Sequence, residues 1–182
     1  MSPCNILFKL SGSVAAYKSC FVISKLVQQG HRVQVVCTPN ALKFIGLATL
    51  EGLTGRSVFT DPYATDQMMD HIHLARWADI TILCPATANT MAKMVQGYGD
   101  DSVTTLFLAH EFKEKPYIIV PAMNQAMWQH PATQNSVATL QSWGVQFILP
   151  EIGYQACGES GPGRLAEPET ILTYLTTLMV AK

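Results

Sequence analysis

The sequence predicts an α/β protein with a doubly wound, mostly parallel sheet and helices on both faces. Three observations carry that expectation. Short apolar, β-branched runs recur along the chain, stretches of helical periodicity alternate with them, and the first three elements read as a βαβ unit. At 182 residues the chain suits one domain, residues 1–182, able to bury a substantial core.

The first strand is Asn5–Leu10, followed by a helix to about Gln29, a stop at Gly30 and a second strand Arg32–Cys37. Further buried strands are expected at residues 80–84, 117–120 and 145–149, each beside a helical stretch, with a closing helix near 172–179. Residues 54–70 and 153–168 are too irregular for this pattern. Loops of that length in a compact domain are usually functional or mobile.

Apolar residues make up 48% of the chain, charged residues only 14%, and the net charge is −1, which leaves no electrostatic footprint for nucleic acid or an anionic membrane. No apolar stretch is long enough to span a bilayer. So little charge fits a protein that buries further surface against copies of itself, hence a homo-oligomer. The amino terminus MSPCNILFKL has no basic flank and too short an apolar run for a secretory signal, so a cytoplasmic location is expected. The five cysteines lack metal-ligand spacing, and no metal site is expected. Four of them lie in or near apolar segments. Only Cys157 sits in a loop suited to reactivity.

Polar residues gather where the strands end. SGSVAAYK (11–18) follows the first strand: Gly12 lets backbone approach a ligand, Ser13 can cap the helix, and the helix amino terminus favours a phosphate. The second and third glycines of the dinucleotide fingerprint are missing, and Cys37 and Thr38 stand where an acidic ribose ligand belongs. TPNALKF (38–44) and PATANT (85–90) repeat the theme with hydroxyls and amides. An uncharged, hydrogen-bonding rim with one phosphate seat suits flavin mononucleotide (FMN), and Phe44 could pack on its ring. Helix capping explains each loop separately, but not their concentration at successive strand ends.

Three further stretches carry candidate chemistry. DHIHLARWAD (70–79) holds His71 and His73 on opposite sides of what reads as an extended segment, and spacing alone cannot choose between them. In PAMNQAMW (121–128) Asn124 stands at a strand's carboxyl end, where open α/β sheets bind ligands; a turn asparagine between core methionines is the plainer alternative. YQACGESGPGRLAEPE (154–169) reads as a glycine-rich flap in which Cys157 could supply a proton or thiolate and Arg164 an anion contact, or as a solvated surface loop.

Taken in order, GSVAAYK, HIHLARWAD, PATANT, PAMNQAMW and ACGESGPGRLAEP span nearly the whole chain and resemble the homo-oligomeric flavin-containing cysteine decarboxylases. The resemblance implies a Rossmann-like flavoprotein fold. It is strongest to the members that convert 4'-phosphopantothenoylcysteine to 4'-phosphopantetheine in coenzyme A biosynthesis, assembled as trimers or higher oligomers with the flavin between subunits. The chain resembles a stand-alone decarboxylase, which would leave the preceding synthetase step to another protein. The family pattern implies His71 and Cys157 as catalytic residues, with His73 at a variable position. It implies Asn124 on the substrate carboxylate with Met127 beside it. Flavin contacts carry over to Gly12, Ser13, Val14, Thr38, Asn40, Phe44, Thr87, Ala88, Asn89, Thr90 and Ala122.

The implied chemistry is coherent. Loss of carbon dioxide from a cysteine carboxylate needs an electron sink, which oxidation of the thiol-bearing carbon to a thioaldehyde supplies, and the resulting enethiol is then reduced with a proton from Cys157. Arg164, Lys93 or a residue of another subunit would hold the substrate phosphate. Three rival readings remain: a peptidyl-cysteine decarboxylase that stops at the enethiol, a prenyl-transferring flavoprotein, and a non-catalytic flavin-binding regulatory subunit. Cys157 in ACGE weighs against the first, the absence of gathered basic residues against the second, and intact His71, Asn124 and Cys157 against the third.

Overall fold

A computed structural model describes residues 2–63 and 69–180. Five parallel strands form the sheet: β1 (Asn5–Leu10), β2 (Arg32–Cys37), β3 (Ile80–Ala86), β4 (Tyr117–Pro121) and β5 (Gln146–Phe147). Their spatial order is β2-β1-β3-β4-β5. Alternation along each strand divides the core. Ile6, Phe8 and Leu10 face helices α1 (Ala16–Gln28) and α8 (Pro168–Val180), while Leu7, Leu83 and Ile119 face α3 (Asp70–Trp77), α4 (Ala88–Gln96), α5 (Ser102–Leu108) and α7 (Pro131–Ser142). Both faces are covered, as the continuous apolar runs required.

Gly30 ends α1 with φ +85°, its N–H bonded to Val27 O and that of His31 to Leu26 O, a left-handed stop that a side chain would strain. A 3₁₀ turn (Ala41–Lys43), α2 (Leu47–Thr54) and α6 (Gln125–Gln129) complete the layers. Of the irregular segment 54–70, residues 64–68 lie outside the described residues. Phe59, within it, bridges to Val36 beside β2.

Three expectations are corrected. The fifth strand is shorter than residues 145–149, because the chain turns out of the sheet towards Pro150, which has no N–H to pair. The histidine segment is the helix α3, not an extended stretch; residues two apart still point to opposite faces, since the helical step is near 100°. The flap at 153–168 is largely an antiparallel hairpin, β6 (Glu151–Tyr154) with β7 (Ser160–Arg164). Its glycines and proline look like turn residues in sequence, yet they serve close packing: a Cβ at Gly163, where φ is +124°, would collide with Met123 O. Gly163→Ala should therefore loosen the hairpin from the end of β4, lower the thermal midpoint by several degrees and cut activity at least tenfold.

On the second face His110 is buried against Phe112 and Tyr117, with Nε2 3.0 Å from Lys115 O. Burial pushes its pKa down to about 4. The folded chain holds the ring neutral while the unfolded chain protonates it below about 6.5, so this contribution is whole above 6.5 and is lost as pH falls towards 4. The loss is on the order of 3 kcal/mol at 1.36 kcal/mol per unit. Urea unfolding at pH 7, 5.5 and 4.5 should show a pH slope that is shallower in His110→Gln.

Candidate active site

Parallel order 2-1-3-4-5 reverses between β1 and β3, and a crevice opens at the carboxyl ends of strands where such an order reverses. Ser11 ties the two strand ends together: its Oγ donates to Pro85 O (2.8 Å) and accepts from Thr87 N (3.0 Å). Thr87 then caps α4, accepting from Thr90 N. Gly12 brings the β1 and β2 loops into contact, since a Cβ there would lie 2.8 Å from Asn40 Cβ and 3.0 Å from its backbone. Around this junction lies a cavity of 520 Å³ lined by Gly12, Thr38, Asn40, Thr87, Asn89, Thr90 and Met127, among others. Hydroxyls, amides and helix-start N–H groups converge there. That donor set fits a phosphate-bearing, neutral ring cofactor.

Lys93 and its partners complete the cavity wall. The ammonium lies 2.6 Å from Asp100 Oδ2 and 3.8 Å from Asp101 Oδ2, and the Asp100 hydrogen bond raises its pKa. Two carboxylates thus occupy the cation that sequence offered for a substrate phosphate.

A second cleft of 710 Å³ lies alongside, lined by Ser13, Val14 and Ala122 on one side and by Asn124, Cys157 and Arg164 on another. Asn124 caps α6, its Oδ1 accepting from Ala126 N at 2.7 Å. That bond fixes the amide with Nδ2 turned to Cys157 Sγ (3.3 Å) and Glu159 Oε2 (3.4 Å). The hairpin holds the thiol there through Gln155. This buried amide donates to Gly161 O and Pro162 O while its Oε1 accepts from Gln125 N and from the Cys157 thiol (3.7 Å). Cys157 is exposed, whereas Cys37 and Cys84 are buried and burial raises both thiols to about 12. The geometry sets an amide donor beside an exposed thiol.

Not every residue singled out in sequence reaches these cavities. Ala88 lines, with Asn89 and Met127, a separate groove of 460 Å³ between α4, α6 and α7; Met127 also lines the 520 Å³ cavity but not the Asn124 cleft. Phe44 is half exposed and lines neither cavity, and His71 lines none of the three. His71 is half-buried on α3, its Nδ1 buried without a hydrogen-bond partner among the described residues; His73 is exposed and 3.8 Å from Asp70 Oδ1. Sequence reasoning missed Gln155, Lys18 and Glu167. Gln155 stood beside the cysteine and could have been read as its anchor. Lys18 and Glu167 carried no local signal.

Fold and cavities together define an α/β protein of the mononucleotide-binding kind with a thiol-bearing cleft. The flavoprotein family pattern matches residues 1–180. Coenzyme A biosynthesis bifunctional protein CoaBC of Bacillus subtilis is 42% identical over 170 residues, which is 92% of this chain and 41% of that protein. The chain therefore spans about two fifths of the curated relative it matches. Among solved structures, an FMN-dependent cysteine decarboxylase, SpaF, is 31% identical with TM-score 0.80, covering 96% of each chain. A PPC decarboxylase mutant complexed with pantothenoylaminoethenethiol has TM-score 0.89 and 29% identity, covering 98% of this chain and 99% of the other. The chain belongs to the flavoprotein family, within its flavin-dependent cysteine decarboxylases.

Proposed function

We propose that this chain, as a single domain binding FMN, decarboxylates 4'-phosphopantothenoylcysteine to 4'-phosphopantetheine, in the cytoplasm and as an assembly of identical copies. The observation that carries this is the Asn124 amide facing the Cys157 thiol at 3.3 Å, in a cleft walled by the strand ends and the first helix turn. FMN in the adjoining cavity supplies reversible two-electron oxidation and reduction. Among the described residues no helix is long and apolar enough to cross a membrane.

Asn124 Nδ2 donates to the substrate carboxylate and orients it for departure as carbon dioxide. Cys157 Sγ then gives a proton to the carbon beside the one that receives hydride, which completes reduction of the enethiol. A decarboxylase that stopped at the enethiol would have no use for a thiol held at this point by Gln155 and Asn124.

His71 takes the proton released in the oxidative half, a task suited to an imidazole. Since it lines none of the three cavities described above, it acts on the site of a second copy. His71→Asn should abolish anaerobic bleaching of the flavin by substrate, with a loss of at least a hundredfold, whereas His73→Asn should keep most of it. Stopped-flow absorbance reads both. Equal losses in the two variants, or the reverse order, would remove His71 from this role.

A further inference from the structure

Lys18 lies on α1 and Arg164 at the end of β7, and both line the cleft that holds Asn124 and Cys157. They meet on one carboxylate. Lys18 Nζ is 2.9 Å from Glu167 Oε2, and Arg164 Nη2 is paired with Glu167 Oε1. Lys18 is largely buried, with only 14% of its side chain exposed. Glu167 is fixed from behind, its backbone N–H donating to Glu151 Oε1 at 3.1 Å, and Glu151 does not line the cleft. The cleft wall thus presents two cations to a single anion. Such a pair fits a dianionic group with several acceptor oxygens, because a guanidinium fork and an ammonium can each take separate phosphate oxygens.

We propose that Lys18 and Arg164 form the seat for the substrate's 4'-phosphate, with Glu167 holding the cations in place until the phosphate displaces it. The proposal rests on the decarboxylase reading, in which the cysteine end of the substrate lies at Asn124. It makes Lys18 a specificity-determining residue: a peptide or an unphosphorylated pantothenoyl chain leaves the two cations on Glu167 and gains nothing from them. Lys93, already held by Asp100 and Asp101 in the adjoining cavity, is not part of the seat.

The test compares 4'-phosphopantothenoylcysteine with unphosphorylated pantothenoylcysteine on the flavin-loaded protein, read as the ratio of their kcat/KM values. Lys18→Met should lower that ratio at least tenfold, Lys18→Arg should restore most of it, and bound flavin monitors folding. Calorimetry with 4'-phosphopantothenate, which needs no turnover, should show binding to the parent, at least tenfold weaker binding to Lys18→Met and tighter binding to Glu167→Gln, where the competing carboxylate is gone. If the parent decarboxylates the substrate but the ratio and the calorimetric affinity are unchanged in Lys18→Met, the seat is wrong and the decarboxylase reading stands. If the parent binds 4'-phosphopantothenate through Lys18 yet turns over neither substrate, the seat stands and the decarboxylase reading fails.

Discussion

Asn124→Asp should abolish turnover while the protein stays folded and keeps its flavin. The cap on α6 survives, because a carboxylate oxygen can accept from Ala126 N as Oδ1 does now at 2.7 Å. What changes is the other atom. Nδ2, a donor turned to Cys157 and to Glu159 Oε2 at 3.4 Å, becomes an anionic acceptor facing both Glu159 and the substrate's own carboxylate. Two like charges about 4 Å apart repel by about 4 kcal/mol at an effective dielectric of 20, roughly a thousandfold in kcat/KM. Steady-state rates with flavin absorbance measure both halves of the claim. Activity within tenfold of the parent would take Asn124 out of the site.

Cys157→Ser should separate the two halves of the reaction. Asn124 and His71 are intact in this variant, so oxidation and loss of carbon dioxide proceed. Completion does not. A serine hydroxyl is a far weaker acid than a thiol and cannot supply the proton that accompanies the returning hydride. Full turnover should fall by at least about a hundredfold, the usual scale of general acid catalysis. Under anaerobic conditions the flavin should remain bleached while a product lighter than 4'-phosphopantetheine by two hydrogens accumulates. Normal product at the parent rate would show that another group donates the proton.

The parts of the fold that sequence reveals are those set by local chemistry. Asn5–Leu10 and Arg32–Cys37 read with their true bounds because each is a buried apolar run, and Gly30 between them stops the helix in a left-handed conformation. Asn124 was legible for the same reason, as a polar residue at the end of such a run. The β6–β7 hairpin was not, because Gly161 and Gly163 are demanded by Gln125 and Met123 from distant segments rather than by a turn. Lys18 and Glu167 are 149 residues apart, and no local pattern joins them. The eight-residue α3 is too short for its periodicity to separate helix from extended chain, so only the family resemblance separates His71 from His73. His71 lines none of the three cavities described, and the proposal that it serves the site of a second copy draws on no pattern that one sequence carries.

On the proposed function, Asn124 and Cys157 act in sequence on one phosphorylated cysteine conjugate. Mixing the purified flavin-loaded protein with 4'-phosphopantothenoylcysteine and weighing the product by mass spectrometry tests it directly. The expected product is 4'-phosphopantetheine, formed over many turnovers without added reductant. Unchanged substrate, or a wild-type reaction that stops at the species two hydrogens lighter, would contradict it.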